Sequence, residues 1–240
     1  MPTSSIVPQQ KLCKNRVLTS IPASDFQRLS AHLTPINFKS KHSLHDAGER
    51  IDIVYFLENA VASVVITMEN GHTVEVGLIG MDGVVGLPAV MGSGYAVNET
   101  FIQIPGRGFS VKARVLRELV ESSSKMRSCF YLALEGYLVQ TAQTAACNRI
   151  HELEERLARW LIMCSDRIQS DHIPITHEFL AVMLGTRRSS VTVAAGMLDK
   201  AGLITHTRGS VTIQNRDGLL HAACECYQSV HEQYLRLRLL

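Results

Sequence analysis

A run of hydrogen-bonding side chains follows Gly185 and opens a predicted helix. The run comprises Thr186, Arg187, Arg188, Ser189, Ser190 and Thr192. Arginine can donate two hydrogen bonds to O6 and N7 of guanine, and hydroxyls can bind phosphates or base edges. A recognition helix reads bases with its N-terminal turns, and a helix N-terminus favours nearby phosphate. We therefore predict that these six residues contact the major groove of DNA.

Two helices with the spacing of a helix-turn-helix must position that run. In residues 175–203, Ala181 lies four residues before Gly185. A small alanine lets the second helix approach the first, and glycine accepts a turn that a β-carbon would strain. The apolar residues expected to close the angle between the helices are Leu180, Leu184, Val191 and Ala194.

Helix caps and a short hairpin complete this motif. Thr176 is a predicted N-cap of the first helix and a candidate DNA contact, and Thr186 is a predicted cap of the second. Beyond the second helix, two short strands around Arg208-Gly209 predict a wing, from which Arg208 could reach the DNA backbone. From residue 177 to residue 216, five cations oppose two anions, and Arg216 is among the cations. The basic charge is local, because the whole chain carries only +2.

The segment before residue 113 has a different pattern. Residues 1–20 are polar and predict a loosely ordered arm, followed by a short helix near 24–32. From Ile36 to Lys112, short β-rich runs alternate with turn residues, and Asn70-Gly71 is typical of a tight hairpin. A small β-roll, of the jelly-roll kind, is the predicted fold of this segment.

A long helix is predicted between these two parts, over residues 124–149. One stripe of small and apolar residues runs along it: Met126, Phe130, Ala133, Leu134, Tyr137, Leu138, Thr141 and Ala145. The stripe predicts a partner helix in a homodimer, and the alternative is that it packs on its own β-domain. Asn148 interrupts the stripe, so we place a hinge at 148–151.

The predicted organisation is α+β with three parts. Residues 1–123 hold the arm and the β-roll sensor domain, 124–149 the dimerisation helix, and 150–240 the winged helix-turn-helix domain. Six scattered cysteines and the lack of a signal segment favour a reduced, cytoplasmic protein. Its apolar runs are too short to span a bilayer, so we expect no membrane association.

In the order of these parts, the chain resembles the Crp/Fnr family, that of the cyclic-AMP receptor protein and the fumarate and nitrate reduction regulator. The motif at 175–203 is the most specific part of the resemblance. The resemblance implies a bacterial homodimeric transcription regulator that binds a pseudo-palindromic DNA site under effector control, with RNA polymerase as a partner. It also implies a sensor domain like those that bind cyclic nucleotides.

Three departures from the family pattern bear on the effector and on the half-site. Leu87 stands where a glutamate would hold the ribose, and residues 81–97 contain no arginine for the phosphate. Cys13 is the single cysteine before Cys129, too few for an N-terminal iron–sulfur cluster. The recognition helix keeps Arg188 but has Ser189 and Val193 at the other two reading positions. We expect an effector other than a cyclic nucleotide, or none, and a changed half-site; cyclic-nucleotide sensing stays open as the alternative.

A metalloenzyme of the cupin type is the alternative from another class. His42, His45 and Glu49 offer suitable ligands, but histidines three apart on a strand point to opposite faces. We interpret Cys224-Glu225-Cys226 as a helical segment with one buried and one exposed thiol. The sequence therefore leads us to assign no metal, no cofactor, no catalytic residue and no effector-binding residue.

Overall fold

In the computed structural model, which describes residues 8–240, seven strands build an N-terminal β-roll. They are β1 (Thr34–Phe38), β2 (Ser43–His45), β3 (Ile53–Leu57), β4 (Val61–Thr67), β5 (Thr73–Ile79), β6 (Glu99–Ile104) and β7 (Gly106–Lys112). They form two antiparallel sheets, of order β1-β7-β3 and β2-β6-β4-β5. The predicted hairpin joins β4 to β5: Thr67 pairs with Thr73, and Gly71 has a φ of +81°.

Four short helices accompany the roll. They are α1 (Arg16–Ser20), α2 (Ala23–Ser30), α3 (Pro88–Met91) and α4 (Ala113–Ser122), and a 3-10 turn spans Gln10–Leu12. The prediction of a loose arm is wrong for α1, because Val17 and Leu18 are fully buried in the core of the roll. Asn15 caps α1 by accepting a hydrogen bond from the backbone N–H of Leu18. The rest of the predicted arm includes residues 1–7, which lie outside the described residues.

The long helix, α5 (Ser124–Ile150), packs on the roll with one part of the predicted stripe. Met126, Phe130 and Ala133 are buried there, and the Phe130 ring meets Phe56 edge-on at 6.3 Å. These three residues were predicted to face a partner helix, and that prediction is wrong. Apolar contact with the roll buries these residues, which is the alternative interpretation of the stripe. Leu138, in contrast, remains 59% exposed.

Helix α5 ends at Ile150, within the segment 148–151 where a hinge was predicted. His151 has extended backbone angles, and α6 (Leu153–Ile168) begins with a capping box formed by Glu152 and Glu155. In the box, the Glu152 side chain accepts from the backbone of Glu155, and the Glu155 side chain accepts from that of Glu152. Each helix therefore has a defined end at this point.

The C-terminal part is a winged helix-turn-helix with two further helices. Its elements are β8 (His172–Ile173), α7 (His177–Met183), α8 (Arg188–Lys200), β9 (Ile204–Thr207), β10 (Ser210–Ile213), α9 (Arg216–Ala222) and α10 (Cys226–Arg236). The three strands pair in the order β8-β10-β9. Helix α10 returns to α5, where Tyr234 and Leu239 close over Gly136. Both Cys224 and Cys226 are buried, so the prediction of one exposed thiol is wrong.

The roll and the C-terminal part share one core. Val65 and Leu78 of the roll pack with Trp160 and Leu161 of α6. The interface also contains a buried ion pair, in which Arg167 Nη2 lies 2.6 Å from Asp82 Oδ2. In residues 8–240, no helix has both the length and the apolar character that a bilayer span requires.

Candidate nucleic-acid interface

The angle between α7 and α8 is built as the sequence predicts. Leu180, Ala181, Leu184, Val191 and Ala194 are all buried between the two helices and their neighbours. Gly185 has a φ of +60°, a left-handed conformation that glycine adopts without strain. The small residue and the turn residue thus have the roles inferred from their spacing.

The two predicted caps have different outcomes. The Thr176 side chain accepts a hydrogen bond from the backbone N–H of Phe179 at 3.2 Å and caps α7. The predicted Thr186 cap is wrong: α8 begins one residue later, with Arg187 at the N-cap and without a side-chain cap. The Thr186 backbone N–H instead donates to the carbonyl of Ala181, so Thr186 still belongs to the turn.

The N-terminal half of α8 presents an exposed polar face. Arg187, Arg188, Ser189 and Thr192 are exposed and Ser190 is half-buried. The Thr192 hydroxyl donates to the carbonyl of Arg188 at 3.0 Å, and its oxygen lies 3.2 Å from Nδ1 of His177. The face offers hydrogen-bond donors where a recognition helix meets base edges.

An apolar extension of this face was only partly anticipated. Val193, which the sequence offers as a contact to a thymine methyl, is 61% exposed, and Met197 is 44% exposed one turn further along. The four-residue spacing from Ser189 to Val193 to Met197 is the signal that would have identified Met197. Apolar side chains in this position can contact thymine methyl groups.

The wing lies beside α8 and is tied to it. Arg208 is exposed at the tip of the β9–β10 hairpin, next to Gly209 with a φ of +98°. Below the tip, the ring of His206 lies 2.8 Å from the carboxylate of Asp199 on α8. This contact links the wing to the recognition helix.

The basic charge of the region is smaller than the sequence count suggests. Arg187, Arg188, Lys200 and Arg208 are exposed. Arg216, however, forms an ion pair with Asp166 of α6, and its guanidinium also donates to Ser165. It therefore supports the α6–α9 contact and is not part of the free basic surface.

The turn of the motif lies against the β-roll. A β-carbon added at Gly185 would be 3.1 Å from Val74 of β5, and Phe179 meets Phe101 of β6 edge-on at 5.8 Å. Movement of the DNA-binding region relative to the roll would have to break these contacts.

A cavity of about 250 Å³ lies inside the roll and reaches the long helix. Leu87 and Thr100 line one side of it, and Leu134 and Tyr137 of α5 line another. Neither arginine nor lysine is among its lining residues, and burial lowers the pKa of His45, the one histidine there. The lining offers no cation to a phosphate.

The ligands considered for a metalloenzyme do not come together. His42 and Glu49 point to solvent, and Nε2 of His45 lies 2.8 Å from the carbonyl oxygen of Ile53. Within residues 8–240, these three side chains form no group that could hold one ion.

Comparison with known proteins identifies the C-terminal region and the fold. Residues 155–222 match the Crp-like helix-turn-helix domain family, while no curated protein sequence matches the chain significantly. FixK2 from Bradyrhizobium japonicum has a similar structure, with a TM-score of 0.69 at 14% identity, over 80% of this chain and 98% of that one. A putative Crp/Fnr-family regulator from Eubacterium rectale is similar with a TM-score of 0.63 at 15% identity, over 86% and 96%.

A third similar structure is the c-di-GMP-responsive global regulator CLP of Xanthomonas campestris, with a TM-score of 0.64 at 15% identity, over 80% of this chain and 99% of that one. The shared fold comprises the β-roll, the long helix and the helix-turn-helix. Residues 155–222 therefore form a Crp-like helix-turn-helix domain, and the chain shares its fold with regulators of the Crp/Fnr family.

Proposed function

We propose that the chain acts in the bacterial cytoplasm as a homodimer that binds a pseudo-palindromic DNA site and regulates transcription there. The observation that carries the proposal is the exposed face of α8, with Arg187, Arg188 and Ser189 at its start and Arg208 on the adjacent wing. Two such helices, about 34 Å apart in a dimer, would enter successive major grooves on one side of the duplex.

The outward face of α5 supports the homodimer. Tyr131, Leu138, Ala142 and Ala145 are exposed and follow one another at spacings of seven, four and three residues, which places them on one side of the helix. This stripe is offset from the buried side that packs on the roll, and a second α5 would cover it. The proposed dimer therefore uses Leu138 and Ala145 of the predicted stripe, but not its buried residues. Contact with RNA polymerase is part of the same proposal.

The effector proposed for the roll is a small, mainly apolar molecule, if one is needed at all. A phosphate buried without a cation loses its strongest partner, and the 250 Å³ cavity has none to offer. Because Leu134 and Tyr137 belong to both the cavity and α5, a ligand there would act directly on the long helix.

Selection of bound sequences from random duplex DNA by the ligand-free protein tests the proposal, with mass measured by size exclusion and light scattering. An inverted repeat recovered by a dimer is the expected result. The proposal is refuted if a folded dimer selects no preferred sequence, either alone or in the presence of small molecules extracted from cells.

Arg188→Ala is the sharpest single variant. A base-reading arginine should contribute about 1 to 3 kcal/mol at the selected site and much less on non-specific DNA. Arg114→Ala is the matched control, since that exposed arginine lies on α4 of the roll. Equal losses on both DNAs would make Arg188 a phosphate contact and not a base contact.

A further inference from the structure

Four potential metal ligands meet where α5 ends. Cys147 lies in the last turn of α5 and His151 is its C-cap, while Cys224 lies between α9 and α10 and Cys226 is the first residue of α10. Their donor atoms all lie within 4.8 Å of one another. The Sγ atoms of Cys147 and Cys224 are 3.5 Å apart, as are Cys226 Sγ and His151 Nδ1.

We propose that these four side chains, the Cys3His cluster, bind one zinc-type divalent metal ion. Zinc prefers four tetrahedral sulfur and nitrogen ligands, and bonds of about 2.3 Å place two sulfurs about 3.8 Å apart. The distance of 3.5 Å between the sulfurs of Cys147 and Cys224 already approaches that value. Four protein ligands would close the coordination sphere, which is typical of a structural or regulatory site and not of a catalytic one.

Neighbouring side chains hold the ligands in a metal-binding orientation. The Glu225 carboxylate lies 3.0 Å from Nε2 of His151, so Nδ1 of the same ring turns toward the thiols. A carboxylate on the far nitrogen of a metal-binding histidine fixes its tautomer and increases its basicity. The Gln143 amide donates to Cys226 Sγ at 3.0 Å.

The charge around the cluster suits a thiolate-bound ion. Three thiolates and a divalent cation leave one net negative charge in a partly buried place. Arg156 and Arg159 lie close enough to interact electrostatically with Cys147. They would balance the charge of the loaded site.

Apolar packing does not account for this grouping. Cys147, Cys224 and Cys226 form a small buried cluster separate from the three larger apolar cores of the described chain. A disulfide between Cys147 and Cys224 would use two of the four side chains and give no role to the orientation of His151. A single ion uses all four.

The position of the cluster indicates what the ion would do. Two ligands sit at the end of α5 beside the break before α6, and two sit at the start of α10. The ion would link the end of α5 to the start of α10. It would thereby limit bending at the connection between α5 and α6, which separates the long helix from the DNA-binding region. This role is independent of whether a particular DNA site is bound.

The test uses the full chain without a histidine tag, purified with a phosphine reductant, exposed to zinc and then freed of loosely bound metal. Inductively coupled plasma mass spectrometry should find about one zinc ion per chain, because the proposal places one tetrahedral site in each chain. Cys226→Ser should retain at least fivefold less. Cys129→Ser is the matched control, because that thiol lies on α5 away from the cluster, and it should retain the wild-type amount.

A second measurement needs no variant. Cobalt(II) added to the metal-free wild-type chain should give the intense ligand-field bands of a tetrahedral ion and a thiolate-to-cobalt charge-transfer band, which one equivalent of zinc removes. A wild-type chain that retains no more zinc than Cys226→Ser and gives an octahedral cobalt spectrum would overturn the proposal. So would a Cys147–Cys224 disulfide as the main form in protein alkylated inside cells.

Discussion

The carboxyl group of Glu75 is a buried group whose titration should change the stability of this protein. It lies on β5 and accepts hydrogen bonds from Ser63 Oγ at 2.6 Å and from Trp160 Nε1 at 2.9 Å. Trp160 belongs to α6, so the group sits where the roll meets the DNA-binding region. Burial raises the pKa of Glu75 from 4.5 to about 7, against the opposing effect of these hydrogen bonds.

The sign and size of the effect follow from this pKa. Between pH 4.5 and about 7, the folded chain keeps the proton of Glu75 and the unfolded chain has lost it. The free energy of unfolding therefore falls as the pH rises through this window, and the stabilisation is fully present only below it. At about 1.4 kcal/mol for each tenfold change in the proton equilibrium, the whole effect is about 3 kcal/mol, most of it between pH 5 and 8.

Urea unfolding of the wild-type chain and of Glu75→Gln, at one protein concentration and several pH values, measures this effect. Trp160 is the only tryptophan of the chain and donates to Glu75, so its fluorescence reports the site directly. The wild type should lose about 2.5 kcal/mol relative to Glu75→Gln between pH 5 and 8. Glu49→Gln, at an exposed carboxyl, is the control. Parallel pH profiles of the wild type and Glu75→Gln would refute the reasoning.

Three further substitutions test other features. Gly185→Ala should destabilise the fold by about 1 to 2 kcal/mol, because the residue has a φ of +60° and its β-carbon would press on Val74; unchanged urea midpoints would contradict this. Arg167→Met should cost about 3 to 5 kcal/mol in thermal or urea unfolding, since it leaves Asp82 buried without its partner, and restored stability in a second variant with Asp82→Leu would identify the pair as the cause. Leu138→Asp should convert the dimer to monomer in sedimentation experiments, and a dimer that persists would exclude this face of α5 as the interface.

Local sequence signals predicted the helix-turn-helix well. Ala181 and Gly185 specify a close approach and a left-handed turn by their own chemistry, and Asn70-Gly71 does the same for the β4–β5 hairpin. Such features depend on residues a few positions apart. They need no knowledge of what the rest of the chain does.

Features that depend on distant partners were not predictable in this way. Apolar residues recur at helical spacing on two faces of α5, so periodicity alone did not show that Phe130 faces the roll. The sequence alone indicates that Arg216 is a free cation, and only the structure shows its ion pair with Asp166. The same holds for Cys224, whose neighbour Cys147 lies far earlier in the chain and is brought close only by the return of α10 to α5.

The return of α10 to α5 has a consequence for the biosynthesis of the protein. Gly136 emerges from the ribosome well before Tyr234 and Leu239, the residues that cover it in the folded chain. Until then, this side of α5 and the adjoining edge of the roll are exposed to water and to other nascent chains. Contacts between segments far apart in sequence form slowly, and the uncovered apolar surface favours aggregation in the meantime. Incomplete chains that end before residue 230 should therefore depend most strongly on chaperones.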